Sequence, residues 1–265
     1  MIDIIEHGRV RELRLARPPV NALSPQLIAA LTRALESAAA AGDSGESAAS
    51  AAPAAIVLSG APGMFSAGLD VPLLLQLDRE GIRGLWLGLY ALLRTLARSP
   101  VPVVAAITGH SPAGGAVLAL FCDVRIMAAG EWRIGLNEVQ VGIPMPPVIL
   151  HAMRRLVGAR VAERLCVAGL LVPAAEAARI GLVDELAAPE EVVARAIAVA
   201  EELVALPPAA MHATRRTARA DLCALFDGGT AEGTEIEAVL DAWFGAEAQG
   251  TMRALVERLA ARKRG

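Results

Sequence analysis

Val101-Pro-Val-Val-Ala-Ala-Ile-Thr108, Gly109-His-Ser-Pro-Ala-Gly-Gly115 and Ala116-Val-Leu-Ala-Leu-Phe121 follow one another without a single Asp, Glu, Lys or Arg. A β-branched run, a Gly/Pro-rich stretch and a compact apolar run predict strand, loop and helix in that order. The uncharged stretch from Ser99 to Cys122 is long enough to span a bilayer. Pro100, Pro102, Pro112, Gly109, Gly114 and Gly115 interrupt it, however, and exclude one membrane helix.

The same alternation extends on both sides. Upstream, Ala54–Ser59 predicts a buried strand, followed by the loop Gly60-Ala-Pro-Gly63. Ile82, Leu85, Trp86, Leu89, Leu92, Leu93 and Leu96 predict an apolar helix. Ile2–Ile5 and Val10–Leu15 predict two strands joined at His7-Gly8. Ser24-Pro25 opens a helix to about Ala41, with Leu27, Ile28, Leu31 and Leu35 on one face. Gly42–Ala52 is small and polar, a candidate mobile surface loop but not a domain boundary. Downstream, Val124–Met127 predicts another strand. From Pro146 the pattern is almost wholly helical, broken at Gly158, Gly169 and Gly181, with no internal repeat. Strands alternating with helices, then a helical tail, predict an α/β sheet protein.

Composition narrows the function. The 265 residues carry 25 Lys+Arg against 28 Asp+Glu, a net charge of −3. Hydrophobic residues make up 55 %, 55 are alanine and mean hydropathy is +0.48, which excludes intrinsic disorder. A pI near 5.9 without a basic run argues against nucleic-acid binding. Lys263 is the sole lysine, so anions must be gripped by arginine or backbone N–H. Asp3 and Glu6 stand where a secretory signal would be positive, and no apolar segment follows. Cys122, Cys166 and Cys223 are too far apart for a metal knuckle or redox pair, and predict reduced thiols in a cytoplasmic protein.

Signatures for nucleotide and zinc-protease sites are missing: no G-x-G-x-x-G, G-x-x-x-x-G-K-[ST] or H-E-x-x-H. Gly109-His-Ser-Pro-Ala113 approaches a nucleophile elbow around Ser111. Its oxyanion donor would be the N–H of Pro112, which has none. Gly114-Gly115 at a helix start either exposes N–H groups to a ligand or only permits close packing. Met64-Phe-Ser-Ala-Gly-Leu-Asp70 is a second small-residue loop after a strand. In Ile134-Gly-Leu-Asn-Glu-Val139, Asn137 caps a helical turn and Glu138 favours its dipole, or Glu138 is a desolvated general base. His7, His110, His151 and His212 are scattered, and Arg215, Arg216 and Arg219 read as a solvated helix face, with an anion contact as the alternative.

Taken in order, these segments resemble the crotonase (enoyl-CoA hydratase/isomerase) superfamily. The matching marks are Asn21-Ala-Leu23, Phe65-Ser-Ala-Gly-Leu-Asp70, Pro112-Ala-Gly-Gly115, Cys122-Asp123, Gly135-Leu-Asn-Glu138 and Ala177-Ala-Arg-Ile-Gly-Leu-Val-Asp184. The resemblance implies an α/β spiral of β-β-α turns over residues 1–200. A helical region over 201–265 would belong to the same unit and form trimers, often paired into hexamers. It implies an acyl-CoA substrate, with no other cofactor and no metal. The thioester oxygen would sit between the N–H groups of Leu69 and Gly114, and Ala22, Leu23, Ala67, Gly68, Asp70 and Val71 would line the substrate. Hydratases of the superfamily carry a glutamate shortly after the glycine cluster and another further on. This chain has Val117 at the first position and keeps Glu138. One acid suffices to move a double bond, so the pattern is similar to Δ3,Δ2-enoyl-CoA isomerases of the mitochondrial type, as is Gly169-Leu-Leu-Val-Pro-Ala-Ala-Glu176. The alternatives are hydratase, thioester hydrolase, a serine hydrolase on Ser111 and a silent CoA-thioester binder. Ile236, Val239 and Leu240 with Leu255, Val256 and Leu259 form apolar stripes expected to need a partner surface.

Overall fold

A computed structural model describes residues 1–40 and 53–262. The loop predicted at Gly42–Ala52 lies outside the described residues. The chain opens with the hairpin β1 (Ile2–His7) and β2 (Val10–Leu15), then α1 (Pro25–Ala40). Three further pairs of strands follow: β3 (Ala55–Ser59) with β4 (Gly63–Met64), β5 (Val103–Ile107) with β6 (Gly109–Pro112), and β7 (Val124–Ala128) with β8 (Arg133–Gly135). After the first pair come α2 (Val71–Leu74) and α3 (Arg79–Ala97), and after the second α4 (Gly114–Leu120). A 3-10 turn (Glu138–Val141), α5 (Pro147–Val157) and α6 (Ala159–Val167) follow the third.

The first member of each pair enters a six-stranded sheet of order β1-β2-β3-β5-β7-β10, where β10 is Glu185–Ala187. The second enters a smaller sheet of order β4-β6-β8-β9, where β9 is Val172–Pro173. The result is the expected coil of strand, strand and helix. Successive turns stack by parallel pairing, Ile56 opposite Val103 and Val104 opposite Val124 in the large sheet, Gly63 opposite Gly109 in the small one. The turns touch through backbone at that last pair, because a Cβ on Gly109 would fall 2.0 Å from the Gly63 carbonyl carbon.

β3 and β5 read as continuous apolar runs because both their faces are covered. Ile56 and Leu58 enter the main core with α1, α3 and α4. Ala55 and Val57 enter a second core, closed by Val192, Ala196 and Ala200 of α8 (Val192–Val204). The strands β6, β8, β9 and β10 were not legible as strands. Each has two to four residues, and they exist because a neighbouring backbone pairs them, as Glu185 pairs with Ile126.

The tail comprises α7 (Ala174–Arg179), α8, α9 (Pro208–Ala218), α10 (Ala220–Ala224), α11 (Gly229–Phe244) and α12 (Ala246–Arg262). Two expectations about it need correction. Ile236, Val239 and Leu240 are buried within the chain, with α11 packed on α3, so that stripe is satisfied without a second subunit. Only Arg216 of the three arginines is on a solvated face. Arg215 forms two bonds to Asp123, 2.7 and 2.8 Å. Arg219, 8 % exposed, donates to the carbonyls of Leu96, Ala97, Phe121 and Cys122 and pairs with Asp123. It holds the ends of α3 and α4 together. Arg219→Ala orphans buried carbonyls, and thermal or urea unfolding should show a loss of about 3 kcal/mol.

Candidate active site

Two loops meet above the start of α4. Leu23 N donates to Gly68 O (2.7 Å), and Asp70 N donates to Leu23 O (3.0 Å), which places Leu23 and Leu69 opposite each other in a parallel bridge. Ala67 N donates to Val20 O (3.0 Å). Ala22, Leu23, Ala67, Gly68, Leu69 and Asp70 therefore come together. Val71 follows as the first residue of α2. The Asp70 carboxylate is engaged structurally: it accepts from Arg17 Nη2 (2.5 Å) and from Leu73 N at the start of α2 (3.3 Å). Arg17, absent from the sequence candidates, also holds Ala22 O (2.9 Å) and so ties both strands of the loop.

The bridge consumes the C=O of Gly68 and the N–H of Asp70, and alternation along an extended chain turns the Leu69 N–H the other way. Gly114 is the first residue of α4, where a helix supplies no acceptor for the N–H. Neither N–H has a backbone acceptor among the described residues. The two peptides are adjacent, since a Cβ on Gly68 would lie 3.1 Å from Gly114 N, and Gly68 takes a φ of +82° that favours glycine. Ala113 fixes the second donor. Its φ of 47° and ψ of −120° are strained for alanine, and its own N–H is bonded to Gly135 O at 2.8 Å. That bond joins the donor helix to β8.

Three residues beyond Gly135, β8 delivers Glu138. Ser111 pairs with Ile134 and Pro112 with Gly135, so this strand lies directly beside the one leading to Gly114. Glu138 Oε2 is buried without a hydrogen-bond partner. Burial pushes the carboxyl up to about 7, opposed only by its own backbone. Of the apolar residues flanking it in sequence, Leu136 and Ile143 are buried, whereas Val139 is 44 % exposed and does not desolvate it. The remaining cover comes from α12: a Cβ on Gly142 would lie 2.8 Å from Ala248 Cα, so this helix rests on the turn. Cys166 on α6 is pushed up to about 11, first by burial and then by the Glu138 charge, which places a protonated thiol near the carboxyl. Val117 is buried in α4 and offers no second acid. Asn137 stands at the head of the turn but makes no side-chain capping bond, contrary to the expected cap.

Two N–H groups without a backbone acceptor thus lie at the start of α4, one strand away from the turn that carries a desolvated carboxyl. A family model described as enoyl-CoA hydratase/isomerase matches residues 6–260. The chain belongs to the enoyl-CoA hydratase/isomerase family. It is 35 % identical over 211 residues to the human mitochondrial enoyl-CoA delta isomerase 1, covering 79 % of this chain and 67 % of that protein. The crystal structure of human mitochondrial Δ3,Δ2-enoyl-CoA isomerase superposes with a TM-score of 0.89 at 29 % identity, covering 99 % of both chains. An enoyl-CoA hydratase from Mycobacterium ulcerans gives 0.77 at 27 %, covering 92 % of this chain and 99 % of that one. The fold is the crotonase fold, and family membership makes the chain an enzyme of enoyl-CoA chemistry. Among the described residues no group of three or more His, Cys, Asp or Glu is placed to hold a metal, and no helix is long and apolar enough to cross a membrane.

Proposed function

We propose that the chain is a Δ3,Δ2-enoyl-CoA isomerase, converting 3-enoyl-CoA to trans-2-enoyl-CoA. The observation that carries this is one carboxyl, desolvated on the turn after β8, with valine at 117 where hydratases of the family place a second glutamate. Hydration needs one group to activate water and another to protonate carbon. Isomerisation needs one base used twice. Glu138 removes the C2 proton, and the electron pair moves into the thioester carbonyl, whose oxygen is held by the N–H groups of Leu69 and Gly114. The neutral Glu138 then protonates C4, and the double bond passes from C3–C4 to C2–C3. Atoms and electrons balance without a redox partner, so the CoA of the substrate is the sole cofactor on this reading. Ala22, Leu23, Ala67, Gly68, Asp70 and Val71 line the acyl-CoA.

Assaying a panel of 3-enoyl- and 2-enoyl-CoA thioesters for both reactions tests the proposal. Rapid hydration of 2-enoyl-CoA with 3-enoyl-CoA untouched overturns it in favour of a hydratase, and neither reaction points to a silent binder. Assembly as a trimer or hexamer goes with the same reading, supported by the exposed apolar set Val139, Val167 and Leu170. A monomer by light scattering at micromolar concentration counts against it.

The reading also sets the pH behaviour. The base must be ionised, so turnover should rise through about pH 7 on the acid limb of the kcat/KM profile, which reports the free enzyme. Stability runs the other way. A carboxyl raised from 4.5 to about 7 binds its proton more tightly in the folded state. Its contribution is complete below pH 4.5 and lost as pH rises to 7. The size is about 3 kcal/mol at 1.36 kcal/mol per unit. Glu138→Gln, which carries no charge to desolvate, should therefore unfold at higher urea than wild type at pH 8 and not at pH 4.

A further inference from the structure

An asparagine at a helix N-cap ordinarily accepts a hydrogen bond from an amide one turn on. Asn137 holds that position on the Glu138 turn and does not use it: Gln140 N donates to the Asn137 backbone carbonyl (3.0 Å), and the side chain makes no capping bond. The oxygen withheld from the cap is not given to solvent either. Asn137 Oδ1 is buried without a donor, and so is Glu138 Oε2 on the next residue. Buried acceptors without donors are uncommon because each has lost its water. Here two of them share one turn. A proton on Glu138 Oε2 would turn that acceptor into an O–H donor, and Asn137 Oδ1 on the neighbouring residue is an acceptor that lacks one.

We infer that Asn137 is a positioning residue, whose Oδ1 accepts the O–H hydrogen bond of neutral Glu138 and retains the proton in the pocket between its removal from C2 and its delivery at C4. The inference rests on the isomerase reading and adds to it a holder for the loaded state. No covalent bond forms to Asn137; the proton stays on the carboxyl oxygen until C4 takes it. The other titratable groups around the turn are Cys166 on α6 and, beside Gln140, Glu257 and Arg258 on α12. None of them contributes to the Glu138 shift, which comes from burial.

The test titrates the Glu138 carboxyl directly, by infrared or carbon-13 spectroscopy with Glu138→Gln identifying its signal. It also measures how much C2 deuterium reaches C4. Asn137→Ala removes the acceptor for the neutral form. It should lower the carboxyl by about one unit, reduce label transfer and leave KM unchanged. Asn137→Ser supplies a good helix cap but too short a side chain for the acceptor, and should show the same losses. Recovery of wild-type behaviour in Asn137→Ser, which also serves if the alanine variant does not fold, assigns the residue to capping and overturns the inference. An unmoved titration, or a rise in KM alone, overturns it too. If the titration shifts but wild type does not isomerise, the isomerase reading has failed and the hydrogen bond stands.

Discussion

Glu138→Gln should abolish isomerisation while CoA-thioester binding survives. The amide keeps the shape of the carboxyl inside a cover formed by Leu136, Ile143 and α12, so the pocket should be unchanged by X-ray or by ligand affinity. A positioned acid–base group contributes about 10²–10⁴-fold in rate. On the proposed mechanism Glu138 performs both proton steps and Val117 offers no substitute, which places the expected loss at or beyond the upper end. A second measurement checks the same assignment in the wild type. Substrate deuterated at C2 should yield product with some label at C4, to the extent that exchange with solvent is slower than delivery. Near-wild-type turnover in Glu138→Gln would remove the residue from the mechanism.

Gly114→Pro should also be severe, though less so, and for a different reason. Proline is tolerated at the first position of a helix, and what it deletes there is the N–H. One oxyanion donor is typically worth about 10²–10³ in kcat. The control is Gly114→Ala, which keeps the N–H and adds a Cβ 2.7 Å from Leu23 Cδ1 and 3.2 Å from Gly68 Cα. Turnover lost by proline beyond that lost by alanine measures the donor together with any shift of Ala113, whose conformation a following proline restricts. Ser111→Ala should retain most activity, since no step of the proposed mechanism uses the hydroxyl. If Ser111→Ala proves to be the dead variant, a serine hydrolase replaces the isomerase.

What the sequence disclosed follows from what a one-dimensional pattern records. β3 and β5 were legible because burial on both faces leaves an unbroken apolar run, and α3 because its apolar residues recur at helical spacing. Glu138 stood out as the one acid in an apolar segment. The small sheet was not legible, because strands of two to four residues carry no period. Nor were Arg215 and Arg219, whose charged side chains look solvated until the fold brings Asp123, 92 residues from Arg215, against them. The stripe of Ile236, Val239 and Leu240 records that a face is covered but not by which chain. Asn137 illustrates the opposite error, since its position is that of a cap and its side chain does something else.

The contact between Gly63 and Gly109 acts as a ruler. One turn of the coil contributes Leu69, the next Gly114 and the third Glu138, so the spacing of the chemical groups is the pitch of the coil. Between the first two of these turns the pitch is set where main chain meets main chain, at a distance no side chain enters, and the third is joined by the pairing of Ser111 with Ile134. Side chains elsewhere can drift through exchange and repacking without altering it. On the proposed mechanism the reaction is thus gauged by the backbone, and the identity of the group mounted on each turn is what is left open to change.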